Sequence, residues 1–129
     1  MKKLTAAWIR KAESDFRAAK TLAGIRPPAH DEVCFHSQQA AEKFFKALLQ
    51  EWGLPVPKIH ELDDLLTMLL ASDATLQIVR RGLRGLSRFA VDHRYPGFHA
   101  NAYKAQAALR RAERIRLEVR TRLGLRTKS

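Results

Sequence analysis

The stretch Val33-Cys34-Phe35-His36-Ser37-Gln38-Gln39-Ala40-Ala41-Glu42-Lys43-Phe44-Phe45-Lys46-Ala47-Leu48-Leu49 decides the fold. Its apolar residues recur at helical spacing and never alternate as a half-buried strand would. They form two adjoining stripes. One is Val33, Ala40, Phe44 and Ala47; the other is Cys34, Ala41, Phe45, Leu48 and, further on, Trp52. Asp31 opens this helix and Gly53 ends it. So wide an apolar face exceeds what one neighbouring helix needs, which makes the helix central or buried in a subunit contact.

Working outward, every other long segment also has a helical period. Before it, Thr5 can cap a helix running to about Ala23, with Trp8, Ala12, Phe16, Ala19 and Leu22/Ala23 on one face. Gly24 stops that helix, and Arg26-Pro27-Pro28 makes a stiff connector. After it, Leu54-Pro55-Val56-Pro57 reads as an extended loop, and a short helix turns Leu62, Leu65, Leu66 and Leu69 inward. From about Ala74 to Ala90 a heptad of Leu76, Val79, Leu83, Leu86 and Ala90 predicts one helix, with Arg80, Arg84 and Arg88 stacked on another face. Gly82 and Gly85 each cost about 1 kcal/mol against Ala inside a helix, so they imply close approach by another backbone. A last helix, from about Asn101 to Leu123, buries Ala105, Ala108/Leu109, Ala112, Ile115, Val119 and Leu123. Short connections imply antiparallel neighbours, so the expected fold is all-α, an up-and-down bundle of four long helices plus a short one. One domain over residues 1–125 is expected, followed by a frayed basic tail over 126–129.

Charge narrows the partners. The chain has 129 residues, and 24 Lys and Arg against 13 Asp and Glu give a net charge of +11. Such an excess favours an anionic partner: RNA, DNA, a nucleotide or an acidic protein. Arg80, Arg84 and Arg88 are candidate nucleic-acid contacts, extended by the arginines of the last helix. The single cysteine, Cys34, excludes an internal disulfide and reads as a buried structural thiol in a reducing compartment. No apolar run approaches membrane-spanning length, and the first twenty residues have no signal-peptide core. A cytoplasmic protein is expected. No Cys-x-x-Cys or His-Glu-x-x-His spacing is present, so neither a metal nor a cofactor is expected.

Arg94-Tyr95-Pro96-Gly97-Phe98-His99 carries the candidate chemistry. A guanidinium grips phosphate oxygens with a fixed fork of donors, and an imidazole moves protons near neutral pH. Other polar groups invite blander readings. His36, Gln38, Gln39, Glu42 and Lys43 sit within an apolar helix and read as buried hydrogen-bonding or dimer-contact residues. His60 reads as the residue that starts the short helix, and His93 as a second imidazole without a motif behind it.

The chain resembles the HEPN family. Phe35 to Leu49 looks like that family's second-helix signature, supported by Ala12-Glu13-Ser14-Asp15-Phe16, His60-Glu61-Leu62-Asp63-Asp64-Leu65 and Arg94-Tyr95-Pro96. The resemblance implies a helical bundle, a homodimer, and a minimal nucleotidyltransferase acting as antitoxin. It also implies an Arg-x(4–6)-His active site, which falls here on Arg94 and His99, with both protomers contributing. In that chemistry a ribose 2′-hydroxyl attacks the adjacent phosphate. His99 handles the proton and Arg94 stabilises the charge developing on phosphate. Three functions follow. The first is a metal-independent endoribonuclease toxin, favoured by His99. The second is a non-catalytic partner that binds nucleotide or presents substrate to the nucleotidyltransferase, favoured by Tyr95 and Asn101. The third is a dimeric adaptor whose basic faces bind an acidic protein.

Overall fold

The computed structural model describes residues 1–92 and 95–128, without the side chain of Ala90. Lys3–Leu22 forms α1, His30–Glu51 α2, Leu62–Leu70 α3, Leu83–Asp92 α4 and Ala102–Arg122 α5; a 3-10 helix spans Ala74–Val79. Every regular element among the described residues is helical, as the apolar periods require. No helix among them is long and apolar enough to cross a membrane.

α2 is the spindle of the bundle. It packs against α1, α3, α4 and α5, and Val33, Cys34, Ala40, Ala41, Phe44, Phe45, Ala47, Leu48 and Leu49 along it are buried. Each large side chain so buried contributes roughly 1.5–3 kcal/mol of transfer free energy. Both stripes are therefore covered within one chain, and the width of this face does not require a second subunit. Cys34 is among the buried residues; burial, reinforced by Asp31, pushes its thiol up to about 11. A thiol held protonated is a poor nucleophile.

Two local expectations are corrected. Thr5 does not cap α1, which starts two residues earlier with Lys2 at the cap. Its buried hydroxyl instead donates to Glu51 Oε1 at 2.9 Å, tying the start of α1 to the end of α2. The single helix expected over residues 74–90 is in fact two elements. The chain breaks at Gly82, whose φ of +81° lies in the left-handed region that favours glycine. What lies against Gly82 is a side chain, not another backbone: a Cβ there would stand 1.9 Å from Arg111 Nε. At Gly85 a Cβ would meet nothing within 4 Å.

The break turns the chain in a new direction. Beyond it, α4 is anchored on α3 by Ser87, whose Oγ accepts the Leu62 N–H at 2.9 Å. Asn101 then caps α5, accepting the Lys104 N–H at 2.8 Å. These two anchors frame the connection that carries Arg94 and His99.

Candidate functional site

His93 and Arg94 lie outside the described residues. The remainder of the turn is well defined by its hydrogen bonds. Tyr95 N–H donates to the Asp92 carbonyl at 3.0 Å, Phe98 N–H to the Tyr95 carbonyl at 3.3 Å, and Gly97 takes φ +89°. Phe98 packs on Phe89 of α4, ring centroids 5.6 Å apart, which pins the turn to the bundle.

His99 follows immediately. Its side chain is 80% exposed, and its Nδ1 lies 3.7 Å from Oδ2 of Asp31. Asp31 sits in the first turn of α2, where its Oδ1 accepts the Ala100 N–H at 2.6 Å. One carboxylate thus holds the backbone beside the imidazole and faces one of its ring nitrogens. Among the described residues the other nitrogen has no hydrogen-bond partner, and the ring is exposed, an arrangement suited to proton transfer. From its sequence position Asp31 is a helix opener only. Its pairing across the bundle, 69 positions from Ala100, leaves no local signal.

The second-helix polar residues form two networks. Asp15 of α1 lies 3.0 Å from His36 Nδ1 through one oxygen and pairs with Lys43 through the other. Glu42 is buried and accepts from Lys46 Nζ at 2.9 Å and Gln38 Nε2 at 3.1 Å. His60 Nδ1 stands 3.0 Å from the same carboxylate. Burial alone would raise the pKa of Glu42, but hydrogen bonds from Lys46, Gln38 and His60 outweigh it and hold the group below its usual range. Helix-to-helix ties explain His36, Glu42 and Lys43. α3 is capped by Glu61, which accepts the Asp63 N–H, and His60 just before it fastens that entry to α2.

The arginines divide sharply. Arg80, Arg84 and Arg88 do not share one helical stripe, because Arg80 belongs to the end of the 3-10 helix and the others to α4. Asp63 of α3 holds two of them, Arg80 Nε at 3.4 Å and Arg84 Nη2 at 3.2 Å, while Arg88 pairs with Asp92 at 3.6 Å. Arg84 and Arg88 remain largely exposed, so these pairs are weak ones. On α5, Arg116 and Arg120 both pair with Glu13 at 2.8 Å, and Arg122 with Asp73 and Glu118 at 2.8 Å. That side of α5 is spent on holding the fold. Arg81, Arg110 and Arg114 make no ion pair among the described residues. They line a hollow of about 570 Å³ together with Arg111. Among the described residues, no three His, Cys, Asp or Glu side chains converge as a metal site would require.

Residues 5–122 match the HEPN domain, and the chain belongs to that family. The crystal structure of TT1696 from Thermus thermophilus shares the fold, with a TM-score of 0.75 and 26% identity over 86% of this chain and 91% of that one. Among curated proteins, none matches the sequence.

Proposed function

We propose that this HEPN protein is a metal-independent endoribonuclease, the toxin of a pair whose antitoxin is a minimal nucleotidyltransferase, working in the cytoplasm as a homodimer. The observation that carries this reading is the exposed imidazole of His99 beside the Asp31 carboxylate. His99 takes the 2′ proton or returns one to the leaving 5′ oxygen, and Arg94 holds the phosphate. The products are a cyclic phosphate and a 5′-hydroxyl, and dependence on the 2′-hydroxyl restricts cleavage to RNA.

The deciding experiment incubates purified protein, freed of any partner, with a panel of RNAs in the presence of a chelator. Cleavage leaving cyclic phosphate ends, lost in Arg94→Ala and His99→Ala and partly restored on mixing those two variants, supports the reading and its shared site. Intact RNA throughout overturns it.

The non-catalytic reading has one observation in its favour. Val91, Tyr95 and Tyr103 are exposed around this same turn, an apolar rim suited to a protein partner. If RNA survives, these three residues become the docking surface for the nucleotidyltransferase.

A further inference from the structure

Arg110 and Arg114 project from the same face of α5 as Ala107 and Tyr103, since positions 103, 107, 110 and 114 recur at helical spacing. Across from them the connection before α4 supplies Arg81. Arg111 completes the set, its guanidinium fixed by hydrogen bonds to the carbonyls of Arg81 at 3.3 Å and Ala107 at 3.4 Å. No carboxylate lines this hollow of about 570 Å³. Four like charges around one depression repel one another, and a concave wall focuses their field on whatever enters. The partly buried Arg116, Arg120 and Arg122 of the same helix pair with acids, whereas Arg81, Arg110 and Arg114 are exposed and make no ion pair among the described residues.

Beside it lies a second hollow of about 210 Å³, which shares Ala107 and Arg111 with it and is lined by Gly82, Gly85, Phe89 and Tyr103. Tyr103 is 74% exposed. Phe89 carries Lys104 Nζ 5.7 Å from its ring centroid and packs tilted against Phe98, the residue before His99. The groove is therefore cationic at one end and aromatic at the other, and its aromatic end abuts the His99 turn. From Tyr103 to Arg114 it runs about 16 Å along α5.

We infer that this groove binds single-stranded RNA, its arginines taking backbone phosphates and Tyr103 a base, and that it delivers the strand to the turn containing His99. A positive channel paired with an aromatic platform is the usual arrangement for unpaired nucleic acid. A duplex would keep its bases from the tyrosine. The inference rests on the ribonuclease reading for the identity of the polyanion, and it names residues distinct from Arg80, Arg84 and Arg88.

The test compares two triple variants with equal loss of charge: Arg81→Gln/Arg110→Gln/Arg114→Gln in the groove, and Arg10→Gln/Arg17→Gln/Arg26→Gln on exposed positions elsewhere. The probes are fluorescein-labelled oligouridylate and oligodeoxythymidylate of about a dozen nucleotides, titrated by anisotropy at several salt concentrations in a His99→Ala background. Circular dichroism checks that each variant is folded. Losing three phosphate contacts should flatten the plot of log affinity against log salt by about 2, with affinity lower by tenfold or more. The control triple should keep the parent slope to within about 0.7, one contact's worth. Tyr103→Ala should weaken binding while leaving the slope unchanged. If the groove triple and the control behave alike, the groove is no RNA site. Binding through the groove by a protein that never cuts RNA would sink the nuclease reading and leave the groove standing. Cleavage that survives intact in the groove triple made with His99 present would do the reverse.

Discussion

Asp31 and His99 face each other across the bundle at 3.7 Å, although one opens α2 and the other precedes α5. The carboxylate also accepts the Ala100 N–H, so it fixes the backbone beside the candidate catalytic imidazole and places a negative charge near its ring.

Separating those two roles gives the first prediction. His99→Ala should lower the cleavage rate by about 10²–10⁴-fold with little change in melting temperature, because the ring is exposed. Asp31→Asn keeps an acceptor for the Ala100 N–H but removes the charge, and should cost activity by a smaller factor. Single-turnover cleavage assays measure both. If Asp31→Asn cleaves like wild type, the carboxylate serves the turn alone.

Gly82 and Gly85 should respond in opposite directions. Gly82→Ala puts a Cβ at positive φ, costing about 1–2 kcal/mol, and displaces Arg111 from the Arg81 carbonyl. Gly85→Ala adds a methyl group where the chain itself offers no obstacle, so an isolated protomer should gain about 0.5–1 kcal/mol. A homodimer packed on that face should instead be weakened. Chemical denaturation combined with sedimentation mass tells the cases apart, and a stabilised Gly85→Ala that remains fully dimeric would place the interface elsewhere.

The Glu42 network predicts an acid dependence. Its carboxyl titrates below the ordinary value of 4.5 in the folded protein, so its contribution to stability is complete above that value and fades as pH falls through the folded pKa. Glu42→Gln leaves Lys46 buried without a countercharge and should cost about 3–5 kcal/mol near neutral pH. The gap between variant and wild type should then narrow below about pH 4.5, as wild-type Glu42 takes up a proton. Urea midpoints across the acid range report it. A gap that stays constant would mean that packing, not charge, sets the cost.

Asp63 restrains Arg80 and Arg84. Charge reversal at Arg84 and Arg88 should weaken RNA binding without abolishing cleavage at saturating RNA. Asp63→Asn should strengthen binding, because it frees two cations. Anisotropy titrations at low and high salt test both, and unchanged affinity in every variant would remove these arginines from the RNA surface.

The parts of the fold legible in the sequence are those set by one helix's own periodicity. α2 carries its apolar stripes in local spacing, and the leucines of α3 do the same. The break at Gly82 was hidden because Leu76, Val79 and Leu83 are spaced by three and four residues, which suits a 3-10 turn followed by a helix as well as one continuous helix. Thr5 had the chemistry of a cap, yet Glu51 took its hydroxyl. The candidate site was half legible: His99 announces itself, whereas Asp31 joins it only through folding. The same holds for the basic surface. Sequence counts the arginines, but the acids that claim Arg116, Arg120 and Arg122 come mostly from distant segments, so it does not show that Arg81, Arg110 and Arg114 are among those left without an acid.

Arg122 grips Asp73 and Thr75 at 2.8 and 2.7 Å from 49 and 47 positions away. On the ribosome, the loop ahead of the 3-10 helix therefore emerges well before the residue that fastens it. α1 and α2, adjacent in the chain and clasped by Thr5 and Glu51, can pair early. The face bearing the arginine groove must wait for α5, so in a nascent chain that groove is not assembled until the last long helix has been made.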